Sequence, residues 1–356
     1  MRRLKRERGA VAVVMAILAV PLIAAAALGV DIAAMAAERQ QLQNGADAGA
    51  LAIAQLCAKA SAAAPGDCTA GGTTPNRAVG ADKIAQNYAL TNSNDQEVLA
   101  GVVRLPAPLT LSPTTGEVTV ENTGVREHWL APVIGVDASN IRTTSTAVWG
   151  AINHGTSLPL TISLCEITKL IAAGDPTFKF NTATGNYESN APSGNKLAIR
   201  LPHPSSPNEC IPNGSPQYVP GGFAWITDGL NQCSAATKIG DWIHSDPGAS
   251  VYQPCDAPYL KGLVDSGKVL TIPIFDKAQG TGSNATYRIY GYVGFKLTGF
   301  AFNGNAEFQY KNTGFCTGSG NDQCIVGIFS NVLVPDGTLT PGAPALGGKT
   351  IRLIKK

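Results

Sequence analysis

Charge is scarce in this chain and almost balanced: Asp, Glu, Lys and Arg make up 15% of its 356 residues, with 27 cations against 25 anions. No basic field lies beyond the first eight residues, which argues against a nucleic-acid partner. No Cys-x-x-Cys pair occurs, and tetrahedral zinc usually takes its ligands in such closely spaced pairs. The four histidines, His128, His154, His203 and His244, show no HxxxH or HExxH spacing, and neither a GxSxG elbow nor a phosphate-binding loop is present. The expectation is therefore a protein with no catalytic residues, no metal and no cofactor.

What is plentiful is Gly (39) and Pro (23), with frequent Thr and Ser. That composition suits short strands joined by turns rather than a helical cytosolic enzyme. The eight cysteines are an even set without metal spacing, which points to disulfides formed in an oxidising compartment. Cys57 and Cys68 flank the turn-rich run AKASAAAPGD, and Cys316 and Cys324 bracket TGSGNDQ, so each is expected to bridge locally. Cys165, Cys210, Cys233 and Cys255 remain, and four cysteines allow three pairings.

The N-terminus reads MRRLKRERGAVAVVMAILAVPLIAAAALGVD, with Arg2, Arg3, Lys5, Arg6 and Arg8 against Glu7 and then no charge from Gly9 to Val30. At 1.5 Å per residue the uncharged run extends about 33 Å, enough for the bilayer core. The flanking cations predict a cytoplasmic N-terminus and an extracytoplasmic remainder. A removed secretory signal is the competing reading, with Ala24-Ala25-Ala26 as its small-residue site. Against removal, the helical pattern continues straight through that site, and Pro21 need only kink a retained span.

Beyond the span, Leu28, Ile32, Met35, Arg39, Leu42, Ala46, Gly49, Ile53 and Leu56 recur at alternating steps of four and three. Gly45, Ala46, Gly49 and Ala50 make the upper part of this seam small, which permits close backbone approach. The whole run from Ala10 to Leu56 reads as one helix of roughly 70 Å. Two destinations fit the seam equally: helices of other proteins, or the remainder of the same chain. Asp47 has Gln43 one turn before it as a local partner; alternatively Gly45 breaks the helix and Asp47 caps a second segment. A lone carboxylate of this kind cannot support acid–base chemistry.

The segment ERGAVAVVMAILAVPLIAAAALGVDIAAMAAERQQLQNGADAGALAIA resembles the N-terminal part of TadG-like proteins of the Tad (tight adherence, Flp-type) pilus-assembly system. The resemblance is carried by Arg8-Gly9, the span with Pro21, Val30-Asp31, Leu42-Gln43-Asn44, Ala46-Asp47-Ala48 and Ala50-Leu51. It implies a bitopic, pseudopilin-like component with no activity of its own. Related pseudopilins carry a Glu five residues after a processing Gly, where this chain has Val14, so prepilin-type cleavage is not expected. Some relatives carry a DxSxS metal motif; the nearest stretch here, Asp137-Ala138-Ser139-Asn140-Ile141, lacks the second Ser, so no such metal site is expected.

In the remainder, residues 78 to 90 predict a short helix, GEVTVENTG and SNIRTTSTAVWGA two half-buried strands, and VREHWLAPVIG a helix between them. That order resembles the small domain after the stalk in Tad pseudopilins. Further on, LPLTISLCEI, KVLTIPIFD, ATYRIYGYVGFKLTGFAF and QCIVGIFSNVLV read as strands. The last three are expected to form an antiparallel meander, with Pro273 at an edge. The segment GDWIHSDPGASVYQPCD brings Asp241, His244, Asp246 and Cys255 together in sequence, better read as a disulfide-closed loop than as a hydrolase site. Asn321 and Asp322 offer two oxygen ligands, far short of a calcium site.

The resulting expectation is an α+β chain. A basic tail (1–9) precedes a transmembrane helix (10–30) and an amphipathic stalk (31–63); a small α+β domain (64–152) and a mainly antiparallel β-rich region (153–356) follow. Asp31, Leu42, Gln43, Asn44, Gly45, Ala46, Asp47 and Gly49 are the candidate helix-packing and recognition residues. The expected partners are the lipid bilayer, other pilus-assembly or pilin-like proteins and a second copy of the chain. The alternative is a tethered or secreted adhesin whose ligand site lies in residues 153 to 356.

Overall fold

The computed structural model describes residues 7–60, 68, 80–94, 98–104, 114–191, 194–201, 210–212, 220–246, 251–252, 254–280, 284–302, 304–320, 322–335, 337–340 and 342–354. The basic tail to residue 6, most of the loop between Cys57 and Cys68, His203 and Asn321 lie outside the described residues.

Helix α1 (Glu7–Lys59) runs without interruption through Pro21 and Gly45, about 80 Å at the usual rise. Gly45 therefore does not break it, and Asp47 is not a cap. Its inner end lies with α2 (Gly80–Asn92) on one face of a sheet of order β1-β2-β3-β17-β16. These strands are β1 (Val98–Arg104), β2 (Gly116–Glu127), β3 (Ala138–Ala151), β16 (Val332–Leu333) and β17 (Gly348–Ile354). β2 pairs with β3 along its whole length, from Gly116 opposite Trp149 to Glu127 opposite Ala138. The helix expected over 125 to 135 is not formed: Val125 to Glu127 stay in the ladder, and Pro132, which lacks an N–H, sits inside a single 3-10 turn, Ala131–Ile134. Val118, Val120, Ala147 and Trp149 supply the sheet side of this core, and Ala46, Ala50, Ile53, Ala54 and Cys57 the helix side.

After Ala151 the chain crosses to a second sheet of order β11-β9-β5-β12-β13-β15-β8 and returns at Val332. Its strands are β5 (Leu160–Ser163), β8 (Leu197–Arg200), β9 (Phe223–Thr227), β11 (Trp242–Ser245), β12 (Val269–Gln279), β13 (Thr286–Ala301) and β15 (Cys324–Ser330). The short strands β4 (His154–Ser157) and β10 (Ala235–Lys238) pair with each other, β6 (Phe178–Asn181) with β7 (Asn186–Ser189), and β14 (Gln309–Tyr310) with β13. α3 (Leu164–Ala172) and α4 (Ala257–Ser266) complete the region. β12, β13 and β15 are the antiparallel meander expected from the sequence.

Two details differ. LCEI starts α3 instead of continuing the strand, because the Ser163 hydroxyl accepts the Cys165 N–H and caps a helix there. Pro273 is not on an edge strand: β12 is flanked by β13 and, in parallel, by β5. The missing N–H is tolerated because β5 pairs only with Ile274 and Phe275, and the Pro273 carbonyl accepts the Thr161 hydroxyl at 2.9 Å.

All eight cysteines are bridged: Cys57–Cys68, Cys165–Cys210, Cys233–Cys255 and Cys316–Cys324. The α+β architecture, with a long apolar helix followed by a disulfide-bonded, mostly β region, is as the sequence indicated.

Candidate functional site

α1 changes character along its length. From Val11 to Val30 its described large apolar side chains, among them Met15, Leu18, Leu22 and Ile23, are exposed. Within this stretch lies a window long and apolar enough to cross a membrane, with none of it buried by the rest of the chain. An uncovered apolar surface of this length is unfavourable in water and fits a lipid surrounding or other helices.

At Asp31 the covering begins. Its carboxylate is buried and accepts three backbone N–H groups from the β2–β3 loop: Trp129 at 3.0 Å, Leu130 at 3.0 Å and Ala131 at 2.8 Å. Burial pushes this carboxyl up, but the three N–H groups and the charge of His128 outweigh it and hold the group below the usual carboxylate range. Hydrogen bonds to a carboxylate are among the stronger ones, so Asp31 ties the loop to the helix. The loop is braced within itself by His128 N–H to the Asp137 carbonyl at 2.9 Å and by the His128 ring to Ser139 Oγ at 2.8 Å.

Above Asp31 the buried line follows Glu38, Leu42, Gly45, Ala46, Gly49, Ala50 and Ile53. The strict heptad agrees at Leu42, Ala46, Gly49 and Ile53 but not below, where Ile32 and Arg39 are exposed and Asp31 and Glu38 take the inward positions. A seven-residue repeat drifts about 20° per heptad on a straight helix, which moves the inward position back by one residue over this distance.

The small residues serve two contacts. Gly45 and Gly49 face Ala89 and Ala85 of α2; a Cβ on Gly45 would stand 3.2 Å from the Ala89 Cα, and one on Gly49 3.4 Å from the Ala85 Cα. Gly45 also makes room for Asn122 of β2, whose amide donates to the Leu42 carbonyl at 3.0 Å and would lie 3.1 Å from that same Cβ. The seam between residues 42 and 53 is thus covered by the protein's own α2 and sheet, the second of the two destinations that the spacing allowed. At Gly45 and Gly49 the neighbours within the chain are the Ala-rich α2, Asn122 and Val120 of β2.

The remaining helix candidates stand on the flanks. Gln43 Nε2 donates to Asp47 Oδ1 at 2.8 Å and to the Thr144 carbonyl at 3.2 Å, making Asp47 part of a helix-to-sheet contact; Asn44 is exposed. Gln43 and Asp47, with Thr144, Ser145, Thr146, Leu353 and Ile354, line an open cleft of about 450 Å³ between α1 and strands β3 and β17.

Sequence reading missed the far end of α1. Lys349 of β17 is 1% exposed, and its ammonium donates to the Ala58 carbonyl at 2.9 Å in the last turn, where a cation complements the helix dipole. Burial lowers its pKa to about 8. Glu121, almost fully buried on β2, is paired with Arg142 of β3. No local signal marks these pairs, because each is made by residues far apart in sequence.

The described residues of the 241 to 256 segment have separate roles. His244 is exposed on β11, Cys255 is bridged to Cys233, and Asp246, raised by burial, follows the strand. Asp322 is engaged by Arg200 at 2.9 Å and by the Thr317 N–H at 2.8 Å, and these partners lower its pKa. Asp137 is exposed and Ser139 holds His128. Among the described residues no group of three or more His, Cys, Asp or Glu converges in a way that could hold a metal ion.

These features define a class: a disulfide-bonded head folded onto the inner half of a helix whose outer half is apolar and bare. Residues 9–64 match the family model described as putative Flp pilus-assembly TadE/G-like, a stretch that includes most of α1. No curated protein and no solved structure matches the chain. The Tad domain together with the apolar helix supports a pilus-associated, structural role and fits a single-pass membrane anchor.

Proposed function

We propose that the protein is a non-enzymatic, pseudopilin-like component of a Tad/Flp-type pilus machine. The basic tail (1–9) is cytoplasmic, residues 10–30 span the membrane, residues 31–63 are the stalk, and the head is extracytoplasmic. The head comprises the small unit of residues 64–152, completed by the returning strand β17, and the β-rich unit within residues 153–356. Helices of other pilus-assembly proteins, or of a second copy, pack along the span. Asp31, Leu42, Gln43, Asn44, Gly45, Ala46, Asp47 and Gly49 set the register between helix and head.

The observation that carries this reading is the coincidence of the Tad match with one unbroken helix, half bare and half built into the head. Extracytoplasmic exposure of the head is supported by its four disulfides, which persist in oxidising compartments. Deleting the chain should stop pilus assembly. Restoration is expected from the wild type but not from a Leu18→Lys, Leu22→Lys variant, since each cation in the span opposes insertion by about 3 kcal/mol. Normal piliation without the chain would refute the proposal.

A further inference from the structure

Large apolar side chains are exposed at Val125, Trp129, Leu130 and Val136, all at one end of the β2–β3 hairpin, and Trp129 is 78% exposed. This cluster is not a frayed loop. Asp31 takes the N–H groups of Trp129, Leu130 and Ala131; Val136 N–H returns to the Ala131 carbonyl at 3.2 Å, and Gly135, at φ +85°, closes the turn as only glycine does easily. A rigid loop thus holds bulky apolar groups outward.

Its position along α1 is fixed by the same hydrogen bonds. Asp31 is the first charged residue after the uncharged run that ends at Val30, so the loop stands level with the end of the span. There the exposed loop continues the exposed helix surface of Val30 and Ile32. We infer that the β2–β3 loop is a second membrane contact, its Trp129, Leu130 and Val136 side chains resting in the interfacial layer of the bilayer that α1 crosses. This rests on the reading of α1 as a membrane anchor.

The chemistry fits that layer. Tryptophan concentrates at the membrane–water boundary, where its ring is apolar and its N–H finds water or headgroups. Glu127 and Asp137, both exposed, flank the loop on the side of the strands, where water would be. With two contacts, helix and loop, the head, itself packed onto α1, cannot tilt freely against the bilayer, and its cleft between α1, β3 and β17 faces a fixed direction relative to the membrane.

The test uses the full chain reconstituted in vesicles of phosphatidylcholine and phosphatidylglycerol, with and without phosphatidylcholine brominated near the glycerol end of its acyl chains. Flotation and alkaline-carbonate resistance report the anchor; tryptophan emission, wild type minus Trp129→Phe, reports the loop. The expected result is a Trp129 contribution quenched by the brominated lipid and shielded from aqueous acrylamide, with both effects reduced in Asp31→Ala while flotation is kept. Equal quenching of wild type and Trp129→Phe in floated vesicles would overturn the loop contact and leave the anchor standing. Failure to float would overturn both.

Discussion

Asp31 shows how one side chain decides the geometry of the whole N-terminal unit. A buried carboxylate ordinarily destabilises a fold; here three N–H groups of the β2–β3 loop compensate it. Asp31→Ala should leave these donors without their acceptor and free the loop, seen as faster amide exchange at residues 129 to 131. Because the folded-state carboxyl sits below its unfolded value, its contribution is present above about pH 3.9 and is lost as pH falls further, through the lowered folded pKa. Exchange at these amides should therefore stay slow through mildly acidic pH and rise only below it. Lys349 behaves oppositely. Its folded pKa near 8 lies below the unfolded value, so the folded state bears the cost of a buried charge below pH 8 and sheds it between pH 8 and about 10.4. Stability of the protein in detergent should rise across that window by about 3 kcal/mol, and Lys349→Met should abolish the rise.

At the scale of elements, the crossing of α1 and α2 depends on Gly and Ala at successive turns. Gly49→Ala meets ordinary contact distances and should be neutral or stabilising, by up to about 1 kcal/mol from helix propensity. Gly45→Leu drives a side chain into the α2 backbone and the Asn122 amide, and should lower the melting temperature, with a cost of about 1–3 kcal/mol or more. Thermal melts of the two variants side by side separate these outcomes. The helix, its small face and the Cys57–Cys68 staple were legible because each is local in sequence. Which face turns inward below Leu42 was not, because a strict heptad hides the drift of a straight helix, which brings Asp31 instead of Ile32 to the β2–β3 loop. The helix expected over 125 to 135 failed for a similar reason: its apolar side chains look amphipathic, yet the β2–β3 ladder outcompetes it up to Glu127, and Pro132 limits the remainder to one turn.

For the molecule as a whole, the decisive arrangement is that the chain closes on itself. β17, at residues 348 to 354, enters the sheet beside β3, and its Lys349 seals the end of α1. No periodicity announces such a return; only the cross-strand partners, Ile351 opposite Trp149 and Leu353 opposite Ala147, give it a reason. The consequence is that the head's small sheet depends on both ends of the sequence, so truncation before Gly348 should expose the α1 face, lower expression and increase proteolysis within residues 38 to 58.

The central claim is that the bare half of α1 works among other helices in a membrane while its inner half is already occupied. A photo-crosslinking residue at Leu18, compared with one at Ile53, tests it in cells assembling pili. Leu18 is expected to capture other pilus-assembly proteins or a second copy, and Ile53, fully buried, to capture only its own chain. Intermolecular products from Ile53 with none from Leu18 would contradict it.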